Sequence, residues 1–248
     1  MNKRYSSYRN IPALLLAAGK GTRLAPLTDG IPKCLAPING RPLLDFWLER
    51  CVTAEMAPII INTHYLAESV VAFVQRSPWR DKVILTYEQE LLGTGGTLSA
   101  HAHLLQNGPF FVAHADNLSF FTTDEFLQAH MARPTYCLLT MMLFRTPTPH
   151  SCGIVTTDSQ GVVTEFHEKP ANPPGDLANG AVYIMQPDVF SLLKKCRTMR
   201  PDISIDLLPQ CIGRMATYLN KDYHRDIGTM ESYAAAQHDM LLRSAVKE

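Results

Sequence analysis

What most constrains the fold is a rhythm: short, uninterrupted apolar runs alternate with stretches of helical period through residues 11–144. Ile11 to Ala18 is the first run, and APIIINTHY (57–65), KVILTYE (82–88), PFFVAHADN (109–117) and TYCLLTMMLF (135–144) follow it. Between them, Gly40 and Pro42 open a stretch in which Leu43, Leu44, Trp47, Leu48 and Cys51 share one face, and LAESVVAFVQRS, TLSAHAHLLQN and TTDEFLQAHMA repeat that spacing. A strand with one wet face alternates polar and apolar residues, whereas runs without alternation are covered on both faces. Helices between such runs make neighbouring strands parallel. A Rossmann-like layered α/β sheet, mainly parallel, is therefore expected.

The pattern then changes. CGIVTTD and GVVTEFHE flank Ser159, Gln160 and Gly161 as a hairpin would, and NPPG (172–175) is a loop before the strand ANGAVYIM. Residues 202–213 read as a helix carrying Ile203, Leu207, Leu208 and Cys211, broken only near Pro209; ATYLN reads as a last strand, and a closing helix runs from Met230 to about Arg243. These segments predict a mixed-strand insertion. A mobile lead over residues 1–10 and one domain over 11–248 are expected.

Lysine and arginine total 23 and so do aspartate and glutamate, so no global field draws the chain to nucleic acid or an anionic membrane. No apolar stretch approaches the roughly 18 residues that span a bilayer, and MNKRYSSYRN lacks the apolar core of a signal peptide, so a cytoplasmic location is expected. The six cysteines are scattered without a C-x-x-C pair and read as small core residues. His101 and His103, two apart on a predicted helix, face different ways and suit no shared zinc.

Any anion must thus be met locally, and one stretch is built for that. LAAGKGTRLAPLTDGIPKCLAPINGRPLL (16–44) follows a buried strand with a glycine loop that lets backbone N–H groups approach phosphate oxygens. It is neither of two familiar patterns: G-x-G-x-x-G would need glycine in place of Leu24, and the P-loop spacing is missing. Arg23 and Lys33 are held by prolines at 26, 32, 37 and 42, and fixed cations of these two shapes suit a polyphosphate.

The same stretch resembles the signature of the sugar-1-phosphate nucleotidylyltransferases, L-A-[AG]-G-x-G-T-R-L-x-P-L-T followed by P-K-x-L-x-P-x-x-G-x-P-L. The resemblance continues in order through LLGTGG (91–96), HAD (114–116), CGIV (152–155), EFHEKP (165–170), NGAVYI (179–184) and DIGT (226–229). It implies a GT-A-like nucleotidyltransferase fold, with a nucleotide part over about 11–118, a sugar part over about 119–228 and a C-terminal helix over 229–248. It implies a nucleotide turn of Ala17, Ala18, Gly19, Lys20, Gly21 and Thr22, with Arg23 and Lys33 on the phosphates as catalytic groups. Glu88, Gly93, Thr94, Gly95 and His114 fall to the nucleotide, and Gly153, Glu168, Lys169 and Asn179 to the sugar phosphate. A magnesium ion is implied between Asp116 and Asp226, carboxylates ending two strands and meeting at the carboxyl edge of the sheet. The family pattern has glycine where Ala115 stands, and the added methyl is expected to narrow the pocket.

The implied reaction joins a nucleoside triphosphate to a sugar 1-phosphate and releases pyrophosphate, giving the nucleoside diphosphate sugars from which polysaccharides are built. The acidic residue ahead of L-G-T-G-G resembles guanylyltransferases acting on mannose or heptose 1-phosphate, and also short uridylyltransferases, toward which "LAAG" leans. GTP is favoured narrowly over UTP, dTTP or CTP. A non-catalytic nucleotide-sugar-binding regulatory paralogue would be free to lose Arg23, Lys33 or an aspartate, and all are present. A glycosyltransferase would be expected to carry Asp-x-Asp where ADN stands. A homo-oligomer is compatible with the sequence.

Overall fold

In the computed structural model, residues 10–245 are described. They run β1 (Ala13–Leu16), β2 (Pro37–Ile38), β3 (Arg41–Pro42), α1 (Leu43–Thr53), β4 (Ile59–Thr63), α2 (Ala67–Arg76), β5 (Val83–Tyr87), α3 (Thr94–Ala100), α4 (Ala102–Leu105), β6 (Phe110–His114), β7 (Asn117–Phe120), α5 (Thr123–Ala132), β8 (Leu139–Arg145), β9 (Gly153–Thr157), β10 (Val163–Glu168), β11 (Leu177–Met185), α6 (Val189–Leu193), β12 (Met215–Leu219), β13 (Tyr223–Asp226) and α7 (Met230–Ala245). The lead expected to be mobile lies outside the described residues except for Asn10, whose N–H donates to the Glu55 carbonyl at 3.0 Å.

The apolar runs form one sheet ordered β10-β9-β11-β6-β1-β4-β5, with β8 pairing β11 and β12. β6, β1, β4 and β5 are mutually parallel, as are β8 and β12. β11 is antiparallel to β6 and to β8, so the run 135–144, read as one more member of the parallel series, belongs to the mixed half. Each central strand feeds two cores because successive side chains point to opposite faces. Ala13 and Leu15 pack with α1, α2 and α5 through Trp47, Val70 and Phe126. Leu14 and Leu16 pack with α3, α6 and residues 203–211 through Leu98, Leu193 and Leu207.

Four local readings are corrected. The helix predicted from Thr97 starts at Thr94, inside the glycine motif, and is interrupted at His101. That ring sits within hydrogen-bonding reach of the Thr97 carbonyl and Thr86 Oγ1 and has a structural role. Residues 202–213 form no α-helix: a π-type turn over Ile203–Leu207 passes into a 3-10 turn over Leu208–Cys211. Pro209 removes an N–H there, which favours the tighter turn. β6 ends at His114 and leaves Asp116 in a turn, not at a strand end. Finally, β7 and β13 pair antiparallel as a separate ribbon that periodicity did not reveal, being four residues each.

Candidate active site

β1 is the point where strand order reverses: β4 and β5 lie to one side of it and β6 to the other. In such sheets the crevice beyond the carboxyl ends at the reversal is where ligands bind. Leu16, Asn62 and His114 are in register there, so whatever follows them shares one rim. A cavity of about 180 Å³ opens at this rim, its wall including Ala18, Gly19, Glu88, Gly93, Thr94, His114 and Asp116, all singled out from sequence.

Its floor is a buried polar network that sequence reading missed. Asn62 Oδ1 accepts from the Ala17 N–H at 2.8 Å, while Asn62 Nδ2 donates to Glu88 Oε1 at 2.8 Å. Thr97 Oγ1 donates to the same oxygen, and the Leu92 N–H donates to Glu88 Oε2 at 3.2 Å. Glu88 is thus a buried carboxylate with both oxygens engaged, holding the cavity wall together. The available signal was Asn62 itself, a polar residue closing an otherwise apolar run.

The loop after β1 explains its own composition. Gly21 has φ +64, and a Cβ there would stand 2.9 Å from Lys33 Cβ and 3.1 Å from Thr28 Cγ2. Thr28 Oγ1 donates to the Gly21 carbonyl at 2.9 Å, and Leu24 anchors the loop in a small core with Ile38, Leu118, Ile227 and Ala236. Gly19, Lys20, Thr22 and Arg23 stay exposed.

That anchoring brings the charged groups together. Lys33 Nζ donates to Asp116 Oδ2 at 2.7 Å and to Asp226 Oδ1 at 3.4 Å. The Arg23 guanidinium lies against Gly228, where a Cβ would be 3.2 Å from its Nη2 and 2.8 Å from Asp226 Oδ2. Burial alone would lower the Lys33 pKa, but the two carboxylates outweigh it and raise it above the ordinary lysine value. Burial likewise pushes Asp116 up, and the Lys33 ammonium and then the His114 ring more than reverse that. The Lys33 side chain is 8% exposed, against 27% for Asp116 and 54% for Asp226, so both carboxylates keep an exposed side, and Asp116 lines the cavity.

The hairpin of β9 and β10 carries the next group. Lys169 Nζ and Glu168 Oε1 are 3.7 Å apart, and Lys169 has φ +46, a left-handed conformation uncommon outside glycine. A Cβ at Gly153 would meet Phe166 at 2.8 Å and Glu168 Oε2 at 2.9 Å, so that position admits only glycine while Glu168 holds this pose. Burial first raises the Glu168 pKa, against the pull of Lys169, and the His114 ring that acts on Asp116 acts on Glu168 too. Asn179 Nδ2 donates to the Tyr183 hydroxyl at 2.8 Å and its Oδ1 accepts from the Ala181 N–H at 2.9 Å. Two expectations change. Ala115 is fully buried among core side chains, so its methyl does not narrow the cavity. The Gly95 N–H lies within α3 and donates to the Pro201 carbonyl at 2.8 Å, which removes it as a free donor.

The family model described as nucleotidyl transferase matches residues 12–242. The chain belongs to that family. Its similarity to a mannose-1-phosphate guanylyltransferase of Mycobacterium tuberculosis is 30% identity over 234 residues, covering 93% of this chain and 65% of the relative. A putative mannose-1-phosphate guanyltransferase of Sulfolobus acidocaldarius is 25% identical over 235 residues, covering 93% and 63%. The chain therefore spans less than two thirds of the length of these relatives. Among solved structures, UDP-glucose pyrophosphorylase complexed with UDP-glucose matches with a TM-score of 0.79 at 23% identity over 94% of this chain and 99% of that one. HddC from Yersinia pseudotuberculosis complexed with GMP-PN matches with a TM-score of 0.77 at 24% identity over 93% and 99%. These structural likenesses establish the nucleotidyltransferase fold. No helix among the described residues is long and apolar enough to cross a membrane.

Proposed function

We propose that this protein transfers a nucleotidyl group from a nucleoside triphosphate to a sugar 1-phosphate and releases pyrophosphate, with GTP as the nucleotide and mannose or heptose 1-phosphate as the acceptor. One observation carries the reading: Asp116, Asp226 and Lys33 meet at a single point beside the Arg23 guanidinium, on the rim of the cavity at the strand reversal. Guanylyltransferases of mannose 1-phosphate recur among the relatives, which supports GTP over UTP. The six cysteines are free, as thiols are in a reducing cytoplasm, where we place the protein.

Two aspartates already facing one positive charge, each with an exposed side, fit a hard divalent cation that prefers oxygen ligands, with phosphate and water completing the set. Bound there, magnesium would neutralise charge on the triphosphate. The chain's own groups do the rest. Arg23 and Lys33 contact the phosphates and stabilise charge moving onto departing pyrophosphate, Lys169 orients the sugar phosphate, and Glu168 and Asn179, beside Gly153, hold sugar hydroxyls. The attacking phosphate is already ionised, so no protein base is required.

The test is pyrophosphate release from GTP, UTP, dTTP and CTP, each paired with mannose, heptose, glucose or N-acetylmuramic acid 1-phosphate. Release that is fastest with GTP and mannose or heptose 1-phosphate is expected. Nucleotide-sugar binding without release from any pair would refute the transfer reading in favour of a regulatory paralogue; preference for UTP would refute the choice of base.

A further inference from the structure

Residues 200–203 lie across the Gly93–Gly96 turn as a strap. The Pro201 carbonyl accepts from the N–H groups of Gly95 at 2.8 Å and Gly96 at 3.1 Å. Thr94 Oγ1 donates to Asp202 Oδ2 at 2.9 Å and accepts from the Ile203 N–H at 2.8 Å. Arg200 reaches Glu90 at 2.9 Å. The approach leaves no room for side chains: a Cβ at Gly93 would stand 2.6 Å from the Pro201 oxygen and 2.9 Å from the Arg200 oxygen, and one at Gly95 would stand 3.0 Å from the Pro201 oxygen. Gly93 and Gly95 are thus required by the strap itself.

Asp202 is itself immobilised. Its Oδ1 accepts from the Ser204 N–H at 2.7 Å and the Ile205 N–H at 3.1 Å, and its own N–H donates to Asp206 Oδ2 at 2.7 Å. It therefore offers Thr94 a charged acceptor at a fixed place. Gly93 and Thr94 form part of the cavity wall, and a glycine-rich turn without an anchor has the most conformational freedom to lose when a ligand orders it.

We propose that Asp202 is a positioning residue that presets the Gly93–Thr94 turn for the nucleotide, an inference that rests on the transfer reading above. It acts through Thr94, whereas the phosphate-facing groups Arg23, Lys33 and Asp116 are held by other contacts, so its loss weakens nucleotide binding and leaves the chemical step alone. Asp202→Ala is expected to raise the KM for GTP roughly tenfold to a hundredfold, the effect of losing one hydrogen bond to a charged acceptor, with kcat within about threefold of wild type, and Thr94→Val is expected to raise the KM for GTP by a similar factor. Thr94→Val keeps the Asp202 charge, which also bears on Glu168, so its KM for the sugar phosphate stays within about twofold. Asp202→Asn retains an oxygen for the Ser204 and Ile205 N–H groups but replaces the charged acceptor of the Thr94 hydroxyl by an amide that donates to Thr94 Oγ1, and should recover only part of the loss.

Hydrogen exchange of the same proteins gives an arm independent of turnover: Gly95 and Gly96 amides lose protection in Asp202→Ala while β1 and β6 amides keep theirs. A GTP KM within twofold of wild type in both Asp202→Ala and Thr94→Val overturns the inference. If the wild-type chain releases no pyrophosphate, the transfer reading fails, and exchange decides the strap: unchanged protection at Gly95 and Gly96 in Asp202→Ala overturns it. Should Asp202→Ala not fold, exchange in Thr94→Val decides: unchanged protection at Gly95 and Gly96 overturns the inference.

Discussion

Asn62→Ala is the sharpest test of the buried network under the cavity. Asn62 is 3% exposed; it accepts from the Ala17 N–H at 2.8 Å and donates to the Glu88 carboxylate at 2.8 Å. An orphaned buried N–H costs about 1–3 kcal/mol, and a lost hydrogen bond to a charge about 1.5–3 kcal/mol. Glu88 keeps Thr97 and Leu92 as donors, so the second cost falls at its lower end, and the variant should lose roughly 2.5–4.5 kcal/mol of folding stability. Asn62→Asp separates the two contributions. It preserves an acceptor for Ala17 but sets a carboxylate against Glu88, and two carboxylates this close share a raised pKa. A raised folded pKa means stability that is present below the unfolded value of about 4 and is lost as pH climbs toward the folded one. Asn62→Asp should therefore be more destabilised at pH 8 than at pH 5, and Asn62→Ala about equally at both. Urea denaturation followed by fluorescence, with the buried Trp47 as reporter, reads both. A loss below about 1 kcal/mol for Asn62→Ala, or a pH-independent loss for Asn62→Asp, would refute the reasoning.

Further expectations follow from the same geometry. Lys33→Ala removes the ammonium between Asp116 and Asp226 and should lower turnover by about two to three decades, the scale for one electrostatic donor; near-normal pyrophosphate release would take Lys33 out of the mechanism. Gly21→Ala should cost about 1–2 kcal/mol from the left-handed backbone alone, and its methyl, 2.9 Å from Lys33 Cβ, should also depress turnover; wild-type stability and rate together would contradict the steric argument. His130 is fully buried between Thr140 and Gln186, and burial, with Arg133 adding, pushes its pKa down to about 3. The unfolded chain then holds the extra proton between about pH 6.5 and 3, so stability falls with acidification by about 1.4 kcal/mol per pH unit over that window. His224, buried and likewise pushed down to about 3, adds a like contribution, so His130→Asn should remove one proton's worth of that slope, and an unchanged slope in urea midpoints between pH 7 and 4.5 would sink the assignment.

Much of the architecture was legible because it is written locally. Continuous apolar runs specify strands covered on both faces whatever their neighbours are, and the 16–44 stretch carries its own turn glycines and stiffening prolines. Short elements were not legible: β7 and β13 hold too few residues to show a period, and the 202–213 segment has helical spacing but is diverted by Pro209 and by the docking of residues 200–203 on the Gly93–Gly96 turn. Ala115 misled for a related reason. Its direction, into the core, depends on packing against elements far away in the chain.

From the sequence by itself came the layered α/β class, the family resemblance and the set of charged residues able to meet phosphate. Only the tertiary structure decided which of them meet. Lys33 finds Asp116 and Asp226 across 83 and 193 residues, Asn62 joins Ala17 to Glu88, and Asp202 reaches Thr94 across 108 residues. The physical reason is range: periodicity and turn chemistry act over a few residues, whereas these contacts exist because the order of strands in the sheet brings remote loops to one rim, where buried polar groups must then find partners in each other.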